Sequence, residues 1–239
     1  MKLSIIVPVY NEEKTIGKVL EILSNLRFSL HNLEKEIVIV DDGSTDGTKE
    51  ILSKLKVRSP GSEVQGPRCK VIFHERNQGK GMAIRTGLKE ASGEVVTIQD
   101  ADLEYNPQEL EKLLLPIIKN NVGVVYGSRF LQENPTLYRR YYWGNKFLSF
   151  LISVLYGVKV TDAYTGYKMF KKEALKNIRL TSKRFEFEAE ITCKLLKNGY
   201  KILEIPISYQ PRSLKEGKKI FWKDGFLGIW TILRIRFFQ

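Results

Sequence analysis

Residues 97–107 read TIQDADLEYNP. An apolar run, EVVTIQ, leads directly into three acidic side chains at every second position, Asp100, Asp102 and Glu104. Alternate residues of an extended chain point the same way, so this spacing predicts three carboxylates converging on one small volume. Like charges held together are unfavourable unless something positive sits among them. The stretch therefore calls for a counter-cation, or for a helix N-terminus to cap. Comparable polar endings follow three earlier apolar runs: PVYNEE at 8–13, DDGSTDGT at 41–48 and ERNQGKGMA at 75–83. Any one of these is ordinary turn chemistry, since Asp, Gly, Ser and Thr cap helices and make turns routinely. Four in order point to one ligand-binding edge.

The elements that must present these endings alternate along the first half. Apolar, β-branched runs occupy 3–10, 36–41, 70–74, 94–99 and 122–127. Helical patterns fall at Glu13–Leu26, Gly47–Lys56, Lys80–Ala91 and Pro107–Lys119, the last with Pro at its first turn. Such alternation predicts an α/β fold, a mostly parallel sheet with helices on both faces. Ligands of such sheets lie beyond the carboxyl ends of the strands, which is where the four polar endings fall. VRSPGSEVQGPR (57–68) reads as an exposed loop. In the second half, 185–199 reads as an amphipathic helix closed by Gly199, and 200–209 as a strand. KFLSFLISVLYGV (146–158) is apolar on nearly all sides.

The chain has 239 residues, 43% of them apolar, enough for one sizeable domain or a domain with a small appendage. The net charge is +12, and all of the excess lies late: residues 1–119 sum to −1 and residues 120–239 to +13. That asymmetry points to an anionic partner of the second half. Cys69 and Cys193 match no metal-ligand spacing and read as reduced thiols of a cytoplasmic protein. The apolar start is too short for a signal peptide, and no run approaches the ~20 residues that span a bilayer.

Taken together, VPVYNEE, IVDDGSTDGT, NQGKGMAIRTG and QDADLEYNP resemble the signature of family 2 glycosyltransferases of the GT-A (Rossmann-like) fold. The likeness continues through YGSRF (126–130) and TDAYTGYKMFKKEAL (161–175), and within the family it is nearest to polyprenyl-phosphate sugar synthases such as the dolichol-phosphate mannose and glucose synthases. The resemblance implies that Pro8, Tyr10, Glu12 and Asp42 frame the nucleotide base and ribose, with Asp42 accepting from a base NH or a ribose hydroxyl. Gly79, Lys80 and Gly81 would form a loop approaching the nucleotide. Asp100, Ala101 and Asp102 match the family's DxD motif, which holds Mg2+ or Mn2+ against the diphosphate. Glu104 has the spacing of a further metal ligand or of a cap for the helix beginning near Pro107. Arg129, Arg212, Lys218 and Lys219 match residues that contact the diphosphate or an acceptor phosphate.

The same resemblance implies an inverting, metal-dependent transfer of a hexose from GDP-mannose or UDP-glucose to a polyprenyl (dolichyl) phosphate. Asp102, Arg129 and Asp162 are the catalytic candidates, Asp162 as a base or as a sugar-positioning group. A hydroxyl acceptor would need a general base. A lipid phosphate is already ionised and needs cations, which the basic second half supplies. Glu186 and Glu188 either join the site or open a helix, and His31 and His74 carry no assignment, His74 reading as a turn residue. The resulting organisation is a catalytic domain over 1–215, with a donor and metal half at 1–127 and an acceptor half at 128–215. A basic, aromatic, amphipathic tail at 216–239 would touch an anionic membrane surface. Without spanning helices after the catalytic domain, the expectation is a protein peripheral on the cytoplasmic face, or one relying on a separate membrane subunit. Two other classes compete: a family 2 enzyme with a sugar-hydroxyl acceptor, and a nucleic-acid-binding module, which leaves the four strand endings unexplained.

Overall fold

Strand β1 (Lys2–Val9) shows why the apolar runs are continuous rather than alternating. Leu3, Ile5 and Val7 point to one face of the sheet and Ile6 to the other, and all four are fully buried. A strand covered on both faces needs apolar residues at both parities, and each such side chain contributes about 1.5–3 kcal/mol relative to exposure. The computed structural model describes residues 1–30, 32–56, 68–213 and 222–239. His31, Lys218, Lys219 and nearly all of the 57–68 stretch lie outside them.

The remaining strands are β2 (Glu34–Asp41), β3 (Arg68–Phe73), β4 (Val95–Ile98), β5 (Val124–Ser128), β6 (Lys168–Lys171) and β7 (Ile202–Pro206). They form one seven-stranded sheet in the order β3-β2-β1-β4-β6-β5-β7. All neighbours run parallel except β6, which is antiparallel to both β4 and β5. Sequence pattern had no expectation of β6: four residues with lysine at each end carry too little apolar signal. Tertiary pairing of Met169 with Thr97 and Val125 makes the strand.

One face of the sheet packs on α1 (Ile16–Asn25) and α4 (Leu110–Lys119), through Ile16, Val19, Leu23, Leu110, Leu113 and Ile117. The other face packs on α3 (Lys80–Glu90) and α7 (Phe187–Lys197). The helices α2 (Thr48–Lys56), α5 (Arg139–Tyr156), the short α6 (Lys172–Leu175) and α8 (Trp222–Phe238) complete the set. The helix expected over 107–119 is divided: Pro107–Glu109 is a 3-10 turn, and α4 follows it. Asn106 caps that turn by accepting from the Gln108 N–H at 3.1 Å, so Glu104 is not the cap.

The second-half helices build a separate core. Leu148 and Ile152 of α5, Ala189 and Cys193 of α7, and Ile232 and Ile235 of α8 share one cluster. The described part of the tail is therefore packed onto the domain by one side. Its other side exposes Phe226, Trp230 and Phe237, spaced at i, i+4 and i+11. On α5, Trp143, Phe147, Phe150 and Val154 form a matching exposed stripe at i, i+4, i+7 and i+11. Among the described residues no helix is long and apolar enough to cross a membrane.

Candidate active site

The carboxyl ends of β1, β2, β4 and β5 and the segment after β7 open into one cavity of about 1490 Å³. It lies where the strand order reverses, between β1 and β4, as the crevice of an open α/β sheet does. Pro8, Tyr10, Glu12, Asp42, Asp100 and Ala101 line it, with Lys80, Asp102, Glu104, Arg129 and Arg212. The structure thus gathers these sequence-predicted residues around one space; Asp162 stands behind Arg129 without lining it.

Part of the motif sequence is scaffold. Ser44 Oγ accepts from the Asn11 N–H at 2.9 Å, Thr48 Oγ1 from the Glu12 N–H at 2.9 Å and Glu13 Oε2 from the Gly47 N–H at 2.9 Å. DGSTDGT thereby stitches the loop after β2 to the loop after β1 and fixes Tyr10 and Glu12 at the cavity. Asp42 is also heavily engaged. Its carboxylate accepts from the N–H groups of Gln78 (3.0 Å) and Gly79 (2.7 Å) and pairs with His74 Nδ1 at 2.7 Å. His74 in turn meets Thr86 Oγ1 at 3.0 Å. This network lays the 76–79 loop against the cavity and starts α3. Gly79 is required there: its φ is +99°, and a Cβ would lie 2.4 Å from the Lys183 carbonyl oxygen.

The opening acidic trio does not align as an extended chain would. Residues 101–105 form a turn with Leu103 at φ +62°, so the alternation argument fails locally. Each carboxylate is engaged by a group from elsewhere in the fold. Asp100 takes Lys80 Nζ at 2.8 Å to one oxygen and 3.0 Å to the other. Asp102 Oδ1 accepts from the Glu104 N–H at 3.1 Å, and its Oδ2 meets Arg212 at 3.1 Å. Glu104 accepts from the Tyr209 hydroxyl and from the Arg212 backbone N–H, each at 2.8 Å. Arg212 also forks onto Glu12 at 2.8 and 3.2 Å.

Electrostatics single out Asp102. Burial, then the neighbouring charges of Asp100 and Glu104, push its carboxyl up to about 7 despite Arg212. Burial opposes the charge on Lys80, but Asp100 and Glu188 outweigh it and hold its pKa above the usual range. Among the described residues no three His, Cys, Asp or Glu side chains are placed to enclose a metal ion. A divalent cation here would have to take further ligands from substrate oxygens and water, as Mg2+ characteristically does.

Beyond β5, Asp162 is fully buried and grips Arg129 through both oxygens. That geometry gives it no line to a substrate hydroxyl, so the expectation of a base there is not met. Arg129 also lies over the Tyr209 ring at 5.2 Å. Glu186 Oε1 accepts from the N–H groups of Lys183 and Arg184 and opens α7, whereas Glu188 faces the cavity. Glu188 contacts Lys80 at 3.4 Å and ion-pairs with Lys168, which is wholly buried and also donates to the Thr165 carbonyl. Lys168 carries no sequence signal, because a lysine in YKMF looks solvent-facing. Arg140 was likewise not foreseen; it lines the cavity and stacks on Tyr141, 4.8 Å from the ring centroid.

Comparison with known proteins agrees with this architecture. The family model for Glycosyl transferase family 2 matches residues 4–179. The chain is 35% identical over 248 residues to the UDP-N-acetylglucosamine–dolichyl-phosphate N-acetylglucosaminyltransferase of Methanococcus voltae, covering 97% of this chain and 95% of that protein. It is 32% identical over 223 residues to the dolichol-phosphate mannosyltransferase of Pyrococcus furiosus, covering 91% of this chain and 59% of that protein. Among solved structures, glucosyl-3-phosphoglycerate synthase of Mycobacterium tuberculosis, in complex with Mn2+, UDP and phosphoglyceric acid, superimposes with a TM-score of 0.72. That match has 19% identity and covers 100% of this chain and 79% of the other. The strand-end loops, the sheet that carries them and these likenesses lead to one conclusion: the chain is a GT-A glycosyltransferase that belongs to family 2.

Proposed function

We propose that the enzyme is an inverting, metal-dependent transferase that moves a hexose, or its N-acetylamino derivative, from a nucleoside-diphosphate sugar to a polyprenyl phosphate. The observation that carries this reading is the cavity's size and its two characters. At about 1490 Å³ it exceeds the ~300–1,000 Å³ of a site for one small ligand, leaving room for donor and acceptor together. Its floor under β1, β2 and β4 is charged. Its far wall, from Phe130 and Leu137 through Tyr138, Tyr142 and Leu148, is aromatic and apolar. Two of the relatives are named for dolichyl or dolichol phosphate, which supports the acceptor class.

In this reading Pro8, Tyr10 and Asp42 border the nucleoside, and Lys80 and Arg212 face the diphosphate. Asp102, with Asp100, fits a divalent cation: both offer hard oxygen donors that face the cavity. Bound there, the cation would stabilise charge on the leaving diphosphate as a Lewis acid. Arg129, oriented by Asp162, and Arg140 hold the acceptor phosphate. Its oxygen attacks the anomeric carbon in line; the bond from that carbon to the donor phosphate oxygen breaks, and its electron pair leaves with the diphosphate. The acceptor arrives ionised, so no proton need be removed. The carboxylates at the site agree: Glu12, Asp100, Asp102, Asp162 and Glu188 each pair with a cation.

The exposed stripes of α5 and α8 flank this acceptor wall. With the basic second half they suit an anionic bilayer surface, from which a long apolar acceptor enters sideways. The test is incubation with labelled UDP- and GDP-sugars, with and without Mn2+, and with polyprenyl phosphate or an oligosaccharide. Label entering the organic phase only with the lipid supports the reading; label entering oligosaccharide instead makes the acceptor a sugar hydroxyl.

A further inference from the structure

The guanidinium of Arg212 stands among the carboxylates that would receive a cation. It is within 3.2 Å of both oxygens of Glu12, 3.1 Å from Asp102 Oδ2, and 4.0 Å from Glu104. These groups come from three strand ends, β1, β4 and β7, so the arginine holds together the wall of the cavity. A planar fork of N–H donors suits that bidentate task, which an ammonium would not perform equally.

The backbone carrying Arg212 is fixed independently of its side chain. Gln210 N–H donates to the Glu104 carbonyl at 2.9 Å, the Arg212 N–H to Glu104 Oε1 and the Tyr209 hydroxyl to Glu104 Oε2. The side chain can therefore leave Asp102 while residues 209–212 stay in place. A free divalent ion arriving at Asp102 would have to displace a cation already paired there, leaving two cations crowded together. A diphosphate changes that balance, because it brings negative charge for the ion and bidentate oxygens for the guanidinium.

We infer that Arg212 is a resident counter-ion that keeps a free divalent cation off Asp102, so that cation and nucleoside diphosphate enter as one unit. The inference rests on the proposed seat of the cation at Asp102. It assigns Arg212 a positioning role that sets the order of binding, separate from any contact it makes with the donor during transfer.

The experiment is a Mn2+ titration of the full chain followed by electron paramagnetic resonance, first without nucleotide and then with UDP or GDP. The wild type should bind Mn2+ weakly alone and far more tightly with the diphosphate. Arg212→Gln should bind Mn2+ alone about tenfold more tightly than the wild type and gain less from the diphosphate. Arg212→Lys, which keeps the charge, should stay within about threefold of the wild type. A merely structural role predicts the opposite sign, since loosening the wall weakens a site. Arg212→Gln binding no more tightly than the wild type, or neither protein binding Mn2+ alone, overturns the inference, as does Arg212→Lys matching Arg212→Gln. Wild-type label transfer to lipid is scored separately, so it can stand when this inference falls.

Discussion

Asp162 holds Arg129 by a two-pronged ion pair, Nε to Oδ2 and the second prong to Oδ1, both at 2.8 Å, and its Oδ2 also accepts the Arg129 backbone N–H at 3.0 Å. Glu204 supports it from behind by accepting the backbone N–H groups of Thr161 and Asp162. Removing one partner of a buried pair leaves the other charge uncompensated, which costs about 3–5 kcal/mol. Asp162→Asn should therefore lower the thermal midpoint by many degrees and weaken acceptor binding. A general base would behave differently: the variant would keep its stability and lose kcat alone.

Asp102→Asn tests the proposed cation seat. It should reduce transfer by at least about 10³-fold, the scale of a lost transition-state charge stabiliser. Thermal stability should hold or rise, because one carboxylate of a crowded group is gone. Near-normal turnover at saturating Mn2+ would remove Asp102 from the chemistry.

Gly166 tests the placement of Asp100. A Cβ at this position would sit 2.2 Å from Asp100 Oδ2 and 3.0 Å from the Tyr105 ring. Gly166→Ala should push Asp100 off its contact with Lys80 and raise the donor KM more than it lowers the thermal midpoint. Isothermal titration with the nucleoside diphosphate reads the effect directly; unchanged affinity would show that Asp100 tolerates displacement.

The apolar face should be separable from the chemistry. Phe147→Ser with Phe150→Ser removes two aromatics from the exposed stripe of α5, neither of which lines the cavity. Co-sedimentation with anionic phospholipid vesicles should fall sharply, while transfer to a short, water-soluble polyprenyl phosphate stays within a few-fold. Undiminished vesicle binding would assign that face to something other than a bilayer.

Acid stability depends on two buried carboxylates away from the cavity. Burial works against the charge of Glu36, but hydrogen bonds from Lys2, Ser4 and Ser92 outweigh it and hold the group at about 2. Glu190 is held at about 2 in the same way, with Lys194, Ser182 and Thr181 overcoming burial. Both pKa values are depressed from an ordinary value near 4.5, so their stabilisation is complete above pH 4.5 and is lost as pH falls toward 2. Each is worth of order 3 kcal/mol by that shift. Urea midpoints should fall steeply across this window in the wild type, and less steeply in Glu36→Gln with Glu190→Gln.

Much of the strand-end edge was legible without coordinates. Apolar runs buried on both faces announce a parallel sheet, and polar clusters at their ends mark where its crevice lies. That inference needs only burial and strand direction, which local residue order encodes. It explains why Pro8, Tyr10, Asp42, Lys80, Asp100 and Asp102 fall on one cavity. The tail's helix was visible as an apolar, aromatic run, but α8 exposes Phe226, Trp230 and Phe237 while burying Ile232 and Ile235, so its described part is apolar on both sides.

What residue order could not supply is the pairing of charges from distant segments. Arg212 reaches Glu12 across 200 positions, and Tyr209 reaches Glu104 across 105. Lys168 looks like a surface lysine until β6 inserts between β4 and β5 and buries it beside Glu188. The spacing of DADLE suggested three carboxylates sharing one direction, but a left-handed Leu103 breaks the extended path, leaving Asp100 with Lys80 and turning Asp102 and Glu104 toward Arg212. Burial makes an unpaired charge costly, so each carboxylate takes the cation that the fold brings near. Local sequence therefore determined which groups stand at the edge of the sheet. Tertiary structure decided which of them are tied to one another, because ion pairing depends on distance in space and on exclusion of water.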